Sequence, residues 1–257
     1  MVAHTLPRKL LAEFAGTFFV VLVAAGAAGV AAFVRGPLNG SSPLAPYGPL
    51  AAAAAYGFAY ATVIAALGRV SGGHFNPAVT VAHWVTHRVG TFAALLYIAA
   101  QMAGASAASH ALRFAMLRAT TMDASLLGPP GLAAGLTRSP ALLIEAGMTF
   151  ALVLALWATI VARSRPRYWL GAIAAGAVIA AASFAGAPYT GGAMNPVLAF
   201  GPAMATGQWG YQGVYWVGPL AGAVAAGWLY DLLFRRREHH KDAALKGGAT
   251  QNQPASP

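Results

Sequence analysis

Cysteine is absent from the 257 residues, and charge is scarce: Asp and Glu together number 6, and charged residues make up 9% of the chain, against about 25% in an ordinary soluble domain. The lack of cysteine excludes a disulfide framework, a thiol nucleophile and a thiolate-held metal or cluster. No paired catalytic carboxylates, Ser-His-Asp set or phosphate-cradling loop can be assembled from what remains. His83, His87 and His110 have no partners at metal-ligand spacing. The expectation is therefore a protein that is not an enzyme and holds no cofactor or metal.

Apolar residues are what the chain has in excess, at 58%, and a soluble globule of this length cannot hide that much apolar surface. They fall into blocks of about 20 residues, each long enough to cross a hydrocarbon core roughly 30 Å thick. Six such spans are expected at about 10–33, 49–68, 91–112, 141–162, 168–187 and 211–234, which makes the fold an all-α polytopic membrane protein. The run of the first span exceeds a signal peptide's apolar core, so it is read as a retained helix.

The net charge of +10 does not point to nucleic acid, because the basic residues sit singly or in short clusters at the ends of apolar blocks, without an aromatic-interleaved face. Their distribution reads as topology. With both termini in the cytoplasm, the inner side holds twelve of the 16 Lys and Arg residues, including Arg8, Lys9, Arg69, Arg88 and Arg163, and the outer side holds Arg35, Arg113, Arg118 and Arg138. That asymmetry follows the positive-inside rule, and a bacterial inner (plasma) membrane is the expected location. The expected organisation is a cytoplasmic flank over 1–9, a first repeat over 10–118, an extracytoplasmic connection over 119–138, a second repeat over 139–234 and a basic, disordered cytoplasmic tail over 235–257. The tail's His239-His240 pair reads as solvated, and the tail's affinity for anionic lipid is left open.

The repeat is visible in the residues. Glu13, Thr17 and Phe18 recur as Glu145, Thr149 and Phe150, and Ser71-Gly-Gly-His-Phe-Asn-Pro77 recurs as Thr190-Gly-Gly-Ala-Met-Asn-Pro196. Gln101-Met-Ala-Gly104 likewise returns as Pro219-Leu-Ala-Gly222. Each repeat holds three spans, an odd number, so the second enters the membrane from the opposite side, and in such inverted repeats the functional site lies near the midplane where the halves meet. The segments from Asn76 to about Thr86 and from Asn195 to about Ala205 are too short to cross, and suit re-entrant half-helices. Irregular backbone at that depth must be buried in protein or line a watery cavity.

Asparagine is a strong N-cap and proline fits the first helical turn, so Asn76-Pro77 and Asn195-Pro196 each start a half-helix. With the side-chain oxygen used by the cap, the amide N–H groups are expected to remain free to donate to a passing acceptor. Two helix N-termini, each with roughly half a positive charge, would meet at one spot and repel cations and hopping protons. The carbonyls of Gly72, Gly73 and His74, and of Gly191, Gly192 and Ala193, are expected to form an acceptor ladder on one wall.

Ser71-Gly-Gly-His-Phe-Asn-Pro-Ala-Val-Thr80 and Gly191-Gly-Ala-Met-Asn-Pro-Val-Leu-Ala-Phe-Gly-Pro-Ala203 resemble the two signature loops of the aquaporin family, also called major intrinsic proteins. The resemblance covers about residues 8 to 234. It implies an aquaporin-like fold in which six tilted helices surround two half-helices meeting at the pore centre. It also implies a homotetramer in the lipid bilayer with one pore per protomer, passing water or small neutral solutes passively.

Counted from the two asparagines, the family's aromatic/arginine constriction falls here on Tyr56, Ser183, Gly192 and Leu198. Leu198 stands where the family usually has Arg, and Ser183 where strict water channels have His, which implies a wider, less polar and less defended opening. A similar apolar replacement in some plant vacuolar members implies water together with urea, ammonia or peroxide. The Asp typical of glycerol facilitators is replaced by Ala199. Val197 takes the place of the alanine that Ala78 keeps in the first motif, adding bulk where one half-helix packs on the other. The resemblance makes Glu13 and Glu145 structural acceptors for the buried loops. The His74 ring is expected to pack against its neighbours with its carbonyl toward the pore. Two other classes stay in view: a gradient-coupled secondary transporter and a closed, channel-like structural protein.

Overall fold

The structure, a computed structural model, describes residues 4–35, 45–119, 127–161 and 168–235. Every regular element among them is helical. In chain order the α-helices are α1 (Leu6–Arg35), α2 (Gly48–Ser71), α3 (Pro77–Val85), α4 (Thr91–Ala119), α5 (Arg138–Leu156), α6 (Tyr168–Thr190), α7 (Pro196–Thr206) and α8 (Gln212–Tyr230), with a 3-10 turn over Ala45–Tyr47 before α2. A single π-turn prolongs α5 over Trp157–Val161, and another prolongs α8 over Asp231–Arg235. Among the described residues six helices are long and apolar enough to cross a membrane, and α3 and α7 are the two short ones between them.

The helices overrun the apolar blocks at most of their ends. Hydropathy marks only what lies in hydrocarbon, whereas backbone hydrogen bonding continues into the interface. α1 begins at Leu6 with Pro7 in its first turn, where a missing N–H costs nothing. α4 continues through Arg113 to Ala119, and α6 continues across Pro188 to Thr190. The expectations for Arg163, Arg165 and Arg167, for His239-His240 and for the tail from 236 onward lie outside the described residues.

The packing repeats in two halves. α1 lies against α2 and α4 as α5 lies against α6 and α8, and α2 crosses α6 at the centre. The half-helices are exchanged: α3 packs on α8, and α7 on α4. Each short helix is thus seated mainly against the last helix of the other repeat, which carries its N-terminus inward.

Close helix approach explains why small residues recur at fixed places, since lipid supplies no hydrophobic drive between helices and packing must. A Cβ added to Gly104 of α4 would lie 2.4 Å from the Phe14 carbonyl oxygen, and one added to Gly222 of α8 would lie 2.0 Å from that of Ala146. Both carbonyls belong to the residue after a repeat-related glutamate. At the central crossing, a Cβ on Gly57 would meet the Gly176 carbonyl oxygen at 2.4 Å.

Candidate functional site

After α2 the chain turns through Gly72 and Gly73, both at positive φ, then through His74 and through Phe75 at φ 47°, before Asn76 opens α3 in an extended conformation. The second loop does the same through Gly191, Gly192, Ala193 and Met194 at φ 53°, and Asn195 opens α7. Gly192 is needed twice over, because its φ is 65° and an added Cβ would fall 2.7 Å from the Ser183 backbone. Phe75 and Met194 are bulky residues in the left-handed region, a conformation they adopt only when their surroundings impose it.

Two buried carboxylates impose it. Glu13 Oε1 accepts from Ser71 Oγ and from the His74 amide, and its Oε2 accepts from the Phe75 amide at 2.7 Å and from Gln101 Nε2 at 2.8 Å. Glu145 Oε1 accepts from Thr190 Oγ1 at 2.6 Å and from the Ala193 amide at 3.1 Å, and its Oε2 accepts from the Met194 amide at 2.7 Å. Each carboxyl gathers its donors on the turn that reverses the chain. Tyr97 and Tyr215 add a matching pair, donating to the Ser71 and Thr190 carbonyls at 2.8 and 2.9 Å.

The asparagines cap their helices. Asn76 Oδ1 accepts from the Ala78 amide at 2.8 Å, and Asn195 Oδ1 from the Val197 amide at 3.3 Å. Their amide groups, expected to be free, are partly spoken for: Asn76 Nδ2 donates to the Met194 carbonyl at 2.9 Å and Asn195 Nδ2 to the Phe75 carbonyl at 3.1 Å. Each side chain therefore ties its loop to the other one. Pro77, Ala78, Pro196 and Val197 are all buried around this junction.

A cavity of about 290 Å³ opens on one side and reaches Tyr56, Ser183, Gly192 and Leu198, the four positions assigned to the constriction. Its wall includes Gly191 and Ala193. It stops short of the asparagines, which are fully buried.

Two carbonyls of the expected acceptor ladder each hold one donor from α2 and keep a second lone pair. The His74 carbonyl accepts from Tyr60 Oη, and the Ala193 carbonyl accepts from Tyr56 Oη at 3.0 Å. Both tyrosines are on α2, one turn apart, so two of the six carbonyls are already partnered. The His74 ring is engaged elsewhere, 3.1 Å from Thr80 Oγ1 and stacked on His83 with centroids 4.0 Å apart.

Three groups escaped the sequence reading. Tyr60 sits in an alanine-rich span, where an aromatic reads as core or lipid contact. Tyr97 and Tyr215 could have been found, because they stand at matching places in the two repeats. The pair Arg88–Asp231, bonded at 2.8 and 2.6 Å across 143 residues, carries no local signal.

Six spans, an inverted duplication and two half-helices joined by reciprocal asparagine bonds define a helical membrane protein built around a pore axis. A model of the family described as Major intrinsic protein matches residues 1–230, and the chain belongs to that family. It is 37% identical over 234 residues to Aquaporin TIP4-4 of Zea mays, covering 91% of this chain and 89% of that protein. With Aquaporin TIP1-1 of Zea mays the identity is 38% over 235 residues, covering 91% and 90%. The X-ray structure of the aquaglyceroporin from Plasmodium falciparum superposes with a TM-score of 0.75 at 20% identity, over 89% of this chain and 97% of that one, a likeness of fold. These plant relatives give no support to the bacterial inner membrane expected from the sequence.

Proposed function

We propose that this protein is a passive channel for water and small neutral solutes, and that it carries out no covalent chemistry. The observation that carries the reading is the junction of α3 and α7, where Asn76 and Asn195 cap two half-helices and each binds the other's loop. The asparagine amides present N–H donors to a lone pair on the permeant, while the two helix N-termini add positive potential behind them. A neutral molecule exchanges hydration for these donors, whereas a cation or a proton meets a barrier. The relatives named as aquaporins support the same reading.

Glu13 and Glu145 act as struts for the loops in this account and not as proton carriers, since their oxygens are taken up by loop donors. Leu198, 8% exposed, and Ser183, 7% exposed, leave the outer opening with no fixed cation and with the Tyr56 ring alone at the four constriction positions, which favours solutes such as urea, ammonia, peroxide or glycerol beside water. The chain works as a homotetramer with one pore per protomer, in keeping with its family. Both termini face the cytoplasm, as the basic residues favour.

Proteoliposomes in stopped-flow light scattering test the reading. Shrinkage under a sucrose gradient faster than in protein-free vesicles, followed by re-swelling with urea or glycerol, is the expected result. Flux that needs a proton or sodium gradient would assign the protein to coupled transport, and shrinkage at the protein-free rate for every solute would make it a closed structural protein.

A further inference from the structure

The carbonyls of His74 and Ala193 occupy equivalent places, each two residues before its asparagine. Their partners are not equivalent, because both donors come from α2. Tyr56 Oη reaches Ala193 and Tyr60 Oη reaches His74. At the repeat-related places on α6 stand Ala175 and Ile179, which offer no hydroxyl. The arrangement is therefore not part of the twofold plan; it is an addition on one wall, spanning the asparagine junction.

The two rings meet edge to face with centroids 6.5 Å apart, and Tyr60 meets Phe75 in the same manner at 6.3 Å. Tyr56 also lies beside the Asn195 side chain. Tyr56 touches the outer cavity, whereas Tyr60, Asn76 and Asn195 are all 0% exposed. The open space thus ends at Tyr56, and the Tyr60 ring lies one turn further in.

We propose that Tyr60, braced by Tyr56, is a second and inner constriction that sets both the rate and the size limit of permeation. The proposal rests on the channel reading above. While its hydroxyl is bonded to the His74 carbonyl, the ring is held next to the asparagine junction. Passage requires the ring to swing aside, and a water molecule then takes over the carbonyl. An opening widened at Leu198 is in this way backed by a narrower point further in, so the missing arginine does not by itself make the path wide.

The test measures water and glycerol permeability per channel in proteoliposomes for wild type, Tyr60→Phe, Tyr60→Leu and Phe58→Leu, the last a change at an exposed aromatic on the same helix. Tyr60→Phe keeps the ring but frees the carbonyl, and is expected to raise water permeability about three- to fivefold, the factor of one net hydrogen bond. Tyr60→Leu raises it further and speeds glycerol, and Phe58→Leu changes neither. If wild type conducts and Tyr60→Phe matches it, the proposal is overturned and the channel reading stands, whether or not Tyr60→Leu folds. If wild type is silent and the Tyr60 variants conduct, both stand. If folded protein of every form shrinks at the protein-free rate, the channel reading fails and takes the proposal with it.

Discussion

Gln101 donates to the carboxylate of Glu13 at 2.8 Å and to Thr80 Oγ1 at 2.9 Å, so α4 is tied through one amide to α1 and to the half-helix α3. The corresponding place in the second repeat is Pro219, which has no side-chain donor. The two glutamates therefore hold matching loops with unequal sets of bonds, four for Glu13 and three for Glu145.

This inequality predicts an order of stability. Replacing either glutamate by glutamine turns an acceptor into a donor facing other donors, and a buried polar group left unsatisfied costs about 1 to 3 kcal/mol. Glu13→Gln should lower the thermal unfolding midpoint in detergent more than Glu145→Gln, and Gln101→Leu should narrow the gap between them. Tryptophan fluorescence on heating reads this out. A larger loss at Glu145 would mean that the Gln101 bond adds nothing.

At the outer opening, Leu198 lines the cavity with Tyr56, Ser183 and Gly192. Leu198→Arg puts a long cation into that space, narrowing it while adding donors that water can use. Urea and glycerol permeability should therefore fall more than water permeability in stopped-flow measurements. An equal loss of all three would show that Leu198 does not face the path.

Helix approach gives the third prediction. Gly57→Ala, Gly104→Ala and Gly222→Ala each force a Cβ onto a backbone carbonyl that cannot move aside, and overpacking of this kind costs about 1 to 3 kcal/mol. Gly147→Ala, with nothing within 4 Å of the added atom, serves as the control. Thermal unfolding should rank the three buried glycines well below it; four equal midpoints would mean that the helices separate at little cost.

These glycines also show what could be read in advance. The duplicated motifs, the asparagine caps and the glutamates are local or repeat-related features, and a sequence displays them directly. The crosswise bonds from Asn76 and Asn195 depend on where the opposite loop passes, which no spacing within one motif encodes. Phe75 and Met194 run against backbone preference, so nothing in their own identity predicts a positive φ; only the carboxylates that hold their amides account for it. Tyr60 was hidden for another reason, since a tyrosine among alanines is ambiguous until the acceptor for its hydroxyl is known.

The fourth prediction concerns the end of the bundle where α3 meets α8. Arg88 makes a bidentate pair with Asp231, donates from Nη1 to the Thr86 carbonyl at 3.3 Å, and lies 5.5 Å from the centroid of the Trp157 ring. The side chains are 22% and 16% exposed, so water screens the pair only in part. Fork geometry and partial burial both strengthen such a contact beyond an ordinary surface pair. A double-mutant cycle with Arg88→Ala and Asp231→Ala should give a coupling of about 1 to 3 kcal/mol, within the range for residues in direct contact. It should shrink modestly when salt rises from 0.05 to about 0.5 M, because screening acts mainly on exposed charge. Additive effects of the two substitutions would show that α3 is held to α8 by packing alone.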